Sequence, residues 1–74
     1  MNNFDHILVF KTDLASHRDV ETIRPVLDAV THIEEWNVDL YDEDFVLRIV
    51  SPRATHQEII ELVQAEGYAC AELK

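Results

Sequence analysis

Ser16 and Asp19 stand three residues apart at the head of an apolar helical stripe formed by Val20, Ile23, Leu27 and Val30. A hydroxyl and a carboxylate at that spacing can do two kinds of work. As a capping box, the serine oxygen accepts from a backbone N–H of the first helical turn, and the acid suits the positive end of the helix dipole. As oxygen donors, the pair could contribute to a hard-cation site together with Asp13, Asp42 and Asp44. The chain also carries four histidines and a single cysteine, Cys70. Cys70 has no histidine or lysine obviously beside it and reads as a small apolar residue rather than a nucleophile. No glycine-rich phosphate cradle, Ser–His–Asp set or paired catalytic carboxylates can be argued from the spacing. An enzyme is not expected.

The elements that must hold these groups follow from the periodicity. Residues 4–11 alternate around an apolar run and predict a first strand. A helix follows over 17–30, with Pro25 inside it, where the missing donor should bend it. Residues 33–40 show period two, with Trp36, Val38 and Leu40 against Glu35, Asn37 and Asp39, as in a half-buried strand. A polar turn over 41–44 leads to a third strand over 45–50, so strands two and three make a hairpin. Thr55-His56-Gln57-Glu58 is a second capping box and opens a helix with Ile59, Leu62 and Val63 on one face. Gly67, the only glycine, sits where a left-handed residue ends that helix. Residues 68–73 give a short last strand.

The order is βαββαβ, and a weak internal repeat supports it. Ala15-Ser16-His17-Arg18-Asp19 resembles Ala54-Thr55-His56-Gln57-Glu58, and superposing the halves pairs Leu8 with Leu47, Phe10 with Ile49 and Val9 with Arg48. Arginine is rarely fully buried, so Phe45, Leu47, Ile49, Leu8 and Phe10 are expected to face the helices. Ile7, Val9, Val46 and Val50 then lie on the opposite face, beside Lys11 and Arg48. Four branched apolar side chains on a face with no helix to cover it predict a contact surface.

Seventy-four residues make one domain, 1–74, that buries about 60% of its unfolded surface. Six basic against fifteen acidic residues leave a net charge of −9. Nucleic acid and anionic membranes would repel such a chain, whereas a basic protein partner or a cation would not. The N-terminus shows neither a signal-peptide pattern nor a membrane span, and one cysteine allows no internal disulfide. A cytoplasmic location is the default expectation, and no cofactor is implied.

Two right-handed βαβ units sharing one sheet give an α+β, ferredoxin-like sandwich: an antiparallel sheet of order 4-1-3-2 with both helices on one face. That topology brings the strand-one loop, the hairpin and the Gly67 turn to one end, gathering Asp13, Asp19, Asp42, Glu43, Asp44 and Glu66. His17 and His56 open helices that start at opposite ends of the sheet, so they are not expected to share a metal ion. His6 is expected at the core edge of strand one and His32 in a loop.

Within this frame Val20-x-x-Ile23-x-x-x-Leu27, Val38-Asp39-Leu40 and Glu66-Gly67-Tyr68 are together similar to the heavy-metal-associated domains of copper chaperones and metal-transporting ATPases. The resemblance spans nearly the whole chain. It implies the ferredoxin-like fold and a binding-type role. The family holds Cu(I) in a Met-x-Cys-x-x-Cys loop before helix one. By that alignment Leu14 takes the Met position, Ser16 and Asp19 take the two Cys positions, and Tyr68 matches an aromatic near the metal loop. Both thiolates are missing, and hydroxyl and carboxylate oxygens are hard donors unsuited to Cu(I). The expectation is therefore a degenerate, non-enzymatic member that works through protein contacts. Its surfaces would be the open face (Ile7, Val9, Val46, Arg48, Val50), reaching a basic partner or a second copy, and the loop end (Leu14, His17, Tyr68). The alternative is a regulatory domain of the same fold that senses a small molecule or cation.

Overall fold

A computed structural model describes residues 6–74. Its elements are β1 (Ile7–Thr12), α1 (His17–Asp28), β2 (Glu35–Val38), β3 (Leu47–Val50), α2 (His56–Ala65) and β4 (Cys70–Glu72). All strand pairings are antiparallel, in the order β2-β3-β1-β4, which is the predicted 4-1-3-2 read from the other edge. Positions 4 and 5 of the predicted first strand lie outside the described residues.

The core forms where the helical and strand periodicities meet. Ile23 and Leu27 of α1, Ile59 and Val63 of α2, and Phe10, Leu47 and Ile49 of the central strands are all fully buried in one cluster. Both helices thus cover a single face of the sheet. α1 runs through Pro25 and stops at Asp28, two residues short of the predicted end, where Ala29 N donates to Pro25 O and Val30 N to Leu27 O. α2 ends as expected at Gly67, whose φ of 92° is open to glycine. Gly67 N reaches Gln64 O at 2.9 Å and Tyr68 N reaches Val63 O at 3.4 Å, the two bonds of a Schellman motif.

The hairpin corrects the sequence reading. β2 and β3 are shorter than predicted, and residues 39–46 form a long connection held by Asp39 Oδ1 on Tyr41 N and Asp42 Oδ1 on Asp44 N. Phe45 has a φ of 44°, a left-handed conformation uncommon outside glycine. One such residue breaks strand alternation. Phe45 therefore lies half-buried outside the core cluster; Val46, expected on the open face, is buried at 8% exposure and also stands outside that cluster. Leu14, expected at the loop end, is likewise fully buried in the core, because Thr12 Oγ1 accepts from Leu14 N and turns the chain inward.

Candidate functional site

The β1–α1 loop is built on a cap and fastened on two sides. Ser16 is extended (φ −144°, ψ 164°), and its hydroxyl accepts from Asp19 N at 3.2 Å. Asp19 Oδ2 accepts from Ala15 N at 3.1 Å, the amide one residue before the cap, and so draws the loop onto the helix start. Its second oxygen, Oδ1, accepts from the Tyr68 hydroxyl at 3.0 Å, across 49 residues of chain. Asp13 Oδ1 accepts from Ala69 N at 2.9 Å. The loop is thereby tied to the turn that carries Gly67.

On its other flank the fastening is Thr12, a buried threonine at the end of β1. Its hydroxyl donates to Phe45 O at 2.6 Å while its N–H donates to Asp44 O at 3.0 Å. The strand-one loop, the hairpin and the Gly67 turn do meet at one end, as the topology requires. Thr12 and Phe45 are the contacts that sequence reasoning missed, since a threonine at a strand end carries no signal of its distant acceptor.

The electrostatics follow from these bonds. The Tyr68 hydroxyl holds the Asp19 carboxyl below its ordinary range; desolvation opposes this, and the Ala15 and Ser16 groups add to the lowering. For Tyr68 itself a hydrogen bond with Thr22 pulls the phenol down, but burial and the Asp19 carboxylate outweigh it and the net shift is upward. Asp19 thus favours its charged form and Tyr68 its neutral, donating form.

The four candidate cation ligands do not converge. Asp13 and Asp19 serve backbone and phenol donors, Asp42 caps its own turn, and Asp44 lies 3.7 Å from Lys11 Nζ. Among the described residues no group of three or more His, Cys, Asp or Glu side chains is arranged to hold a metal ion. Two histidines have separate carboxylate neighbours: His32 Nε2 lies 2.9 Å from Glu58, and His56, tilted against the Phe10 ring, lies 3.7 Å from Glu72. His17 is exposed and lines an open hollow of about 410 Å³ with Ser16, Val38 and Leu40. Burial pushes the Cys70 thiol up to about 11, far from the reactive range.

Across the sheet, Ile7, Val9 and Val50 lie half-buried on the face away from the helices, with Arg48 exposed beside them. Ile7 is opposite Val50, and Val9 is opposite Arg48. Arg48 Nη1 donates to Asn37 Oδ1 at 3.2 Å. Leu73, whose N–H donates to Val9 O at 3.1 Å, extends this apolar strip and was not singled out from the sequence.

No family model matches the sequence, and no curated protein matches it. Solved structures do. The apo heavy-metal-associated domain of a copper chaperone for superoxide dismutase superposes with a TM-score of 0.76 at 20% identity, covering 92% of this chain and 66% of that one. The Cu(I)-loaded first domain of the human copper chaperone for SOD1 gives 0.75 at 21% identity, covering 89% of each chain. A yeast copper transporter domain solved in apo and Cu(I)-loaded states gives 0.77 at 16% identity, covering 92% and 94%. The chain has the fold of the heavy-metal-associated domains.

Proposed function

We propose that this chain is a non-enzymatic binding module, a heavy-metal-associated fold without the thiolate site, that acts through protein contacts. One observation carries the reading. At the two positions where the family resemblance places Cys ligands, Ser16 and Asp19 are oxygen donors already engaged inside the protein. Asp19 accepts at both oxygens and Ser16 accepts from Asp19 N. A Cu(I) ion as cargo would find hard oxygens where it requires sulfur. Stripping those oxygens from their partners would also undo the helix cap. The donor set does not fit the metal.

A contact role rests on the surface that remains. Ile7, Val9, Val50 and Leu73 form an apolar strip on the uncovered face, flanked by the exposed Lys11 and Arg48 in an acidic molecule. Isologous self-association would bury that strip and bring those bases near acids of the second copy. Among the described residues no helix is long and apolar enough to cross a membrane.

Competition titration against a chelator tests the metal side. Cu(I) and Zn(II) should bind no tighter than to scattered surface histidines and acids. A stoichiometric sub-micromolar complex, lost in Ser16→Ala with Asp19→Ala, would overturn the reading. Ser16→Cys with Asp19→Cys should create a soft-metal site in the folded protein. For the contact side, Val9→Glu should leave the fold intact and dissociate a dimer seen by light scattering, whereas a monomeric wild type at high concentration rules the homodimer out.

A further inference from the structure

The β2 edge of the sheet carries a surface that neither the loop nor the open face uses. β2 pairs with β3, Glu35 opposite Val50 and Val38 opposite Leu47, and is the terminal strand of the sheet. Asp39 N donates to Val46 O at 2.9 Å in the same register. Antiparallel pairing alternates, so Glu35, Asn37 and Asp39 turn their backbone groups toward β3. The N–H and C=O of Trp36 and Val38 then point to the outer edge. Among the described residues no backbone group pairs with them there.

Beyond that edge runs a seam between β2 and α1 that is open at both ends. At one end the hollow of about 410 Å³ separates the first turn of α1 from Val38 and Leu40. At the other a second hollow of about 320 Å³ lies between Arg24, Leu27 and Asp28 of α1 and the stretch that ends at Trp36. Trp36 lines the second hollow and is fixed from α1. Its Nε1 donates to Asp28 Oδ1 at 2.8 Å, and the Arg24 guanidinium lies 5.2 Å from its ring centroid.

Charge decides which occupant suits this edge. Asp28, Glu34, Glu35 and Asp39 flank the strand and the seam, while Arg24 is already paired with Glu21 at 3.0 Å. A second copy's β2 would bring the same acids against these, and like charges across a ladder oppose pairing. An extended basic segment would meet the opposite sign and would satisfy the unpaired backbone groups as an added strand.

We infer that the β2 edge, with its seam to α1, is a docking site for an extended lysine- or arginine-bearing segment of a partner protein. This site is separate from the open face, and neither depends on the other.

The test uses the whole chain, isotope-labelled, and a synthetic peptide of about six residues alternating lysine and valine. Saturable shifts of the Trp36 and Val38 amides are expected, with new protection of both from hydrogen exchange. Binding should weaken as salt is raised, and a glutamate-for-lysine peptide should not bind. Two further peptides, N-methylated on the odd or on the even positions, separate a ladder from bulk attraction. One should lose about tenfold or more in affinity, since its ladder bonds are blocked, and the other should not. Val38→Pro should mimic the weaker case by removing the outward N–H; the methylated peptides decide the matter if that variant unfolds. Equal binding of all the lysine peptides, equal binding of the glutamate peptide, shifts confined to Ile7 and Val9, or no binding at all would each overturn the inference.

Discussion

Ser16 Oγ accepts from Asp19 N at 3.2 Å, and Thr55 Oγ1 accepts from Glu58 N at 3.1 Å, so α1 and α2 begin with the same exchange. Beyond that bond the two helix starts diverge. In the first, the amide before the cap, Ala15 N, turns to Asp19, and the other oxygen of that carboxylate takes Tyr68. In the second, the equivalent amide, Ala54 N, donates to Ser51 Oγ at 3.0 Å, and Glu58 turns outward to His32. Ser51 is a buried hub that also accepts from Arg53 N and donates to His32 O. The cap motif fixes where each helix starts. What its acid reaches is set by whether a neighbouring hydroxyl has already taken the preceding amide.

That difference can be broken at its hub. Ser51→Ala leaves three part-buried backbone groups without their shared partner and should cost about 1–3 kcal/mol in urea melts. Thr12, the buried hydroxyl that stands in the same place before the α1 cap, takes Leu14 N and leaves Ala15 N to Asp19; a loss near zero in Ser51→Ala would show that Ala54 N and His32 O find other partners. The shared part of the comparison is tested by Ser16→Ala and Thr55→Ala, each expected to cost about 0.5–2 kcal/mol. A loss at one site and not the other would mean that the two boxes are alike only in geometry.

A smaller effect sharpens the contrast through pH. Asp19 is held low first by the Tyr68 hydroxyl, against desolvation, with the Ala15 and Ser16 groups adding. A carboxyl depressed in the folded state contributes fully above its unfolded value and loses that contribution as pH falls through its folded value. Stability of the wild type should therefore drop in acid by a component that Asp19→Asn lacks. Tyr68→Phe should shrink that component without removing it, since the backbone donor at Ala15 remains. Melts at a series of acid pH values decide this, and parallel profiles for all three proteins would contradict it.

The local grammar was legible because its causes are local. Ser16-x-x-Asp19 and Thr55-x-x-Glu58 bond within one turn, and Gly67 marks a left-handed stop, so both helix starts and the end of α2 could be read directly. Alternation placed Leu8, Phe10, Leu47 and Ile49 on the core side because each strand keeps one period there. It failed at Phe45, whose left-handed backbone leaves the side chain outside the core cluster. It was silent on Leu14, whose burial depends on the Thr12 hydroxyl. The Asp19–Tyr68 and Thr12–Phe45 ties join residues far apart in sequence, and no periodic signal encodes such pairs. Position in the fold was readable; the partner of each polar group was not.

The buried thiol of Cys70 gives the molecule an internal clock. With its proton held up to about 11, the sulfur is almost wholly protonated at neutral pH and shielded in the core between sheet and helices. A maleimide in solution then reacts when Cys70 is uncovered, as when β4 lifts from β1, where Cys70 is paired with Thr12, or when α2 moves off it. The alkylation half-life would time that opening in the unmodified protein, with no label engineered in. Because Ala69 and Tyr68 immediately precede this strand and hold Asp13 and Asp19, the same measurement reports how often the loop at the start of α1 loses its anchor.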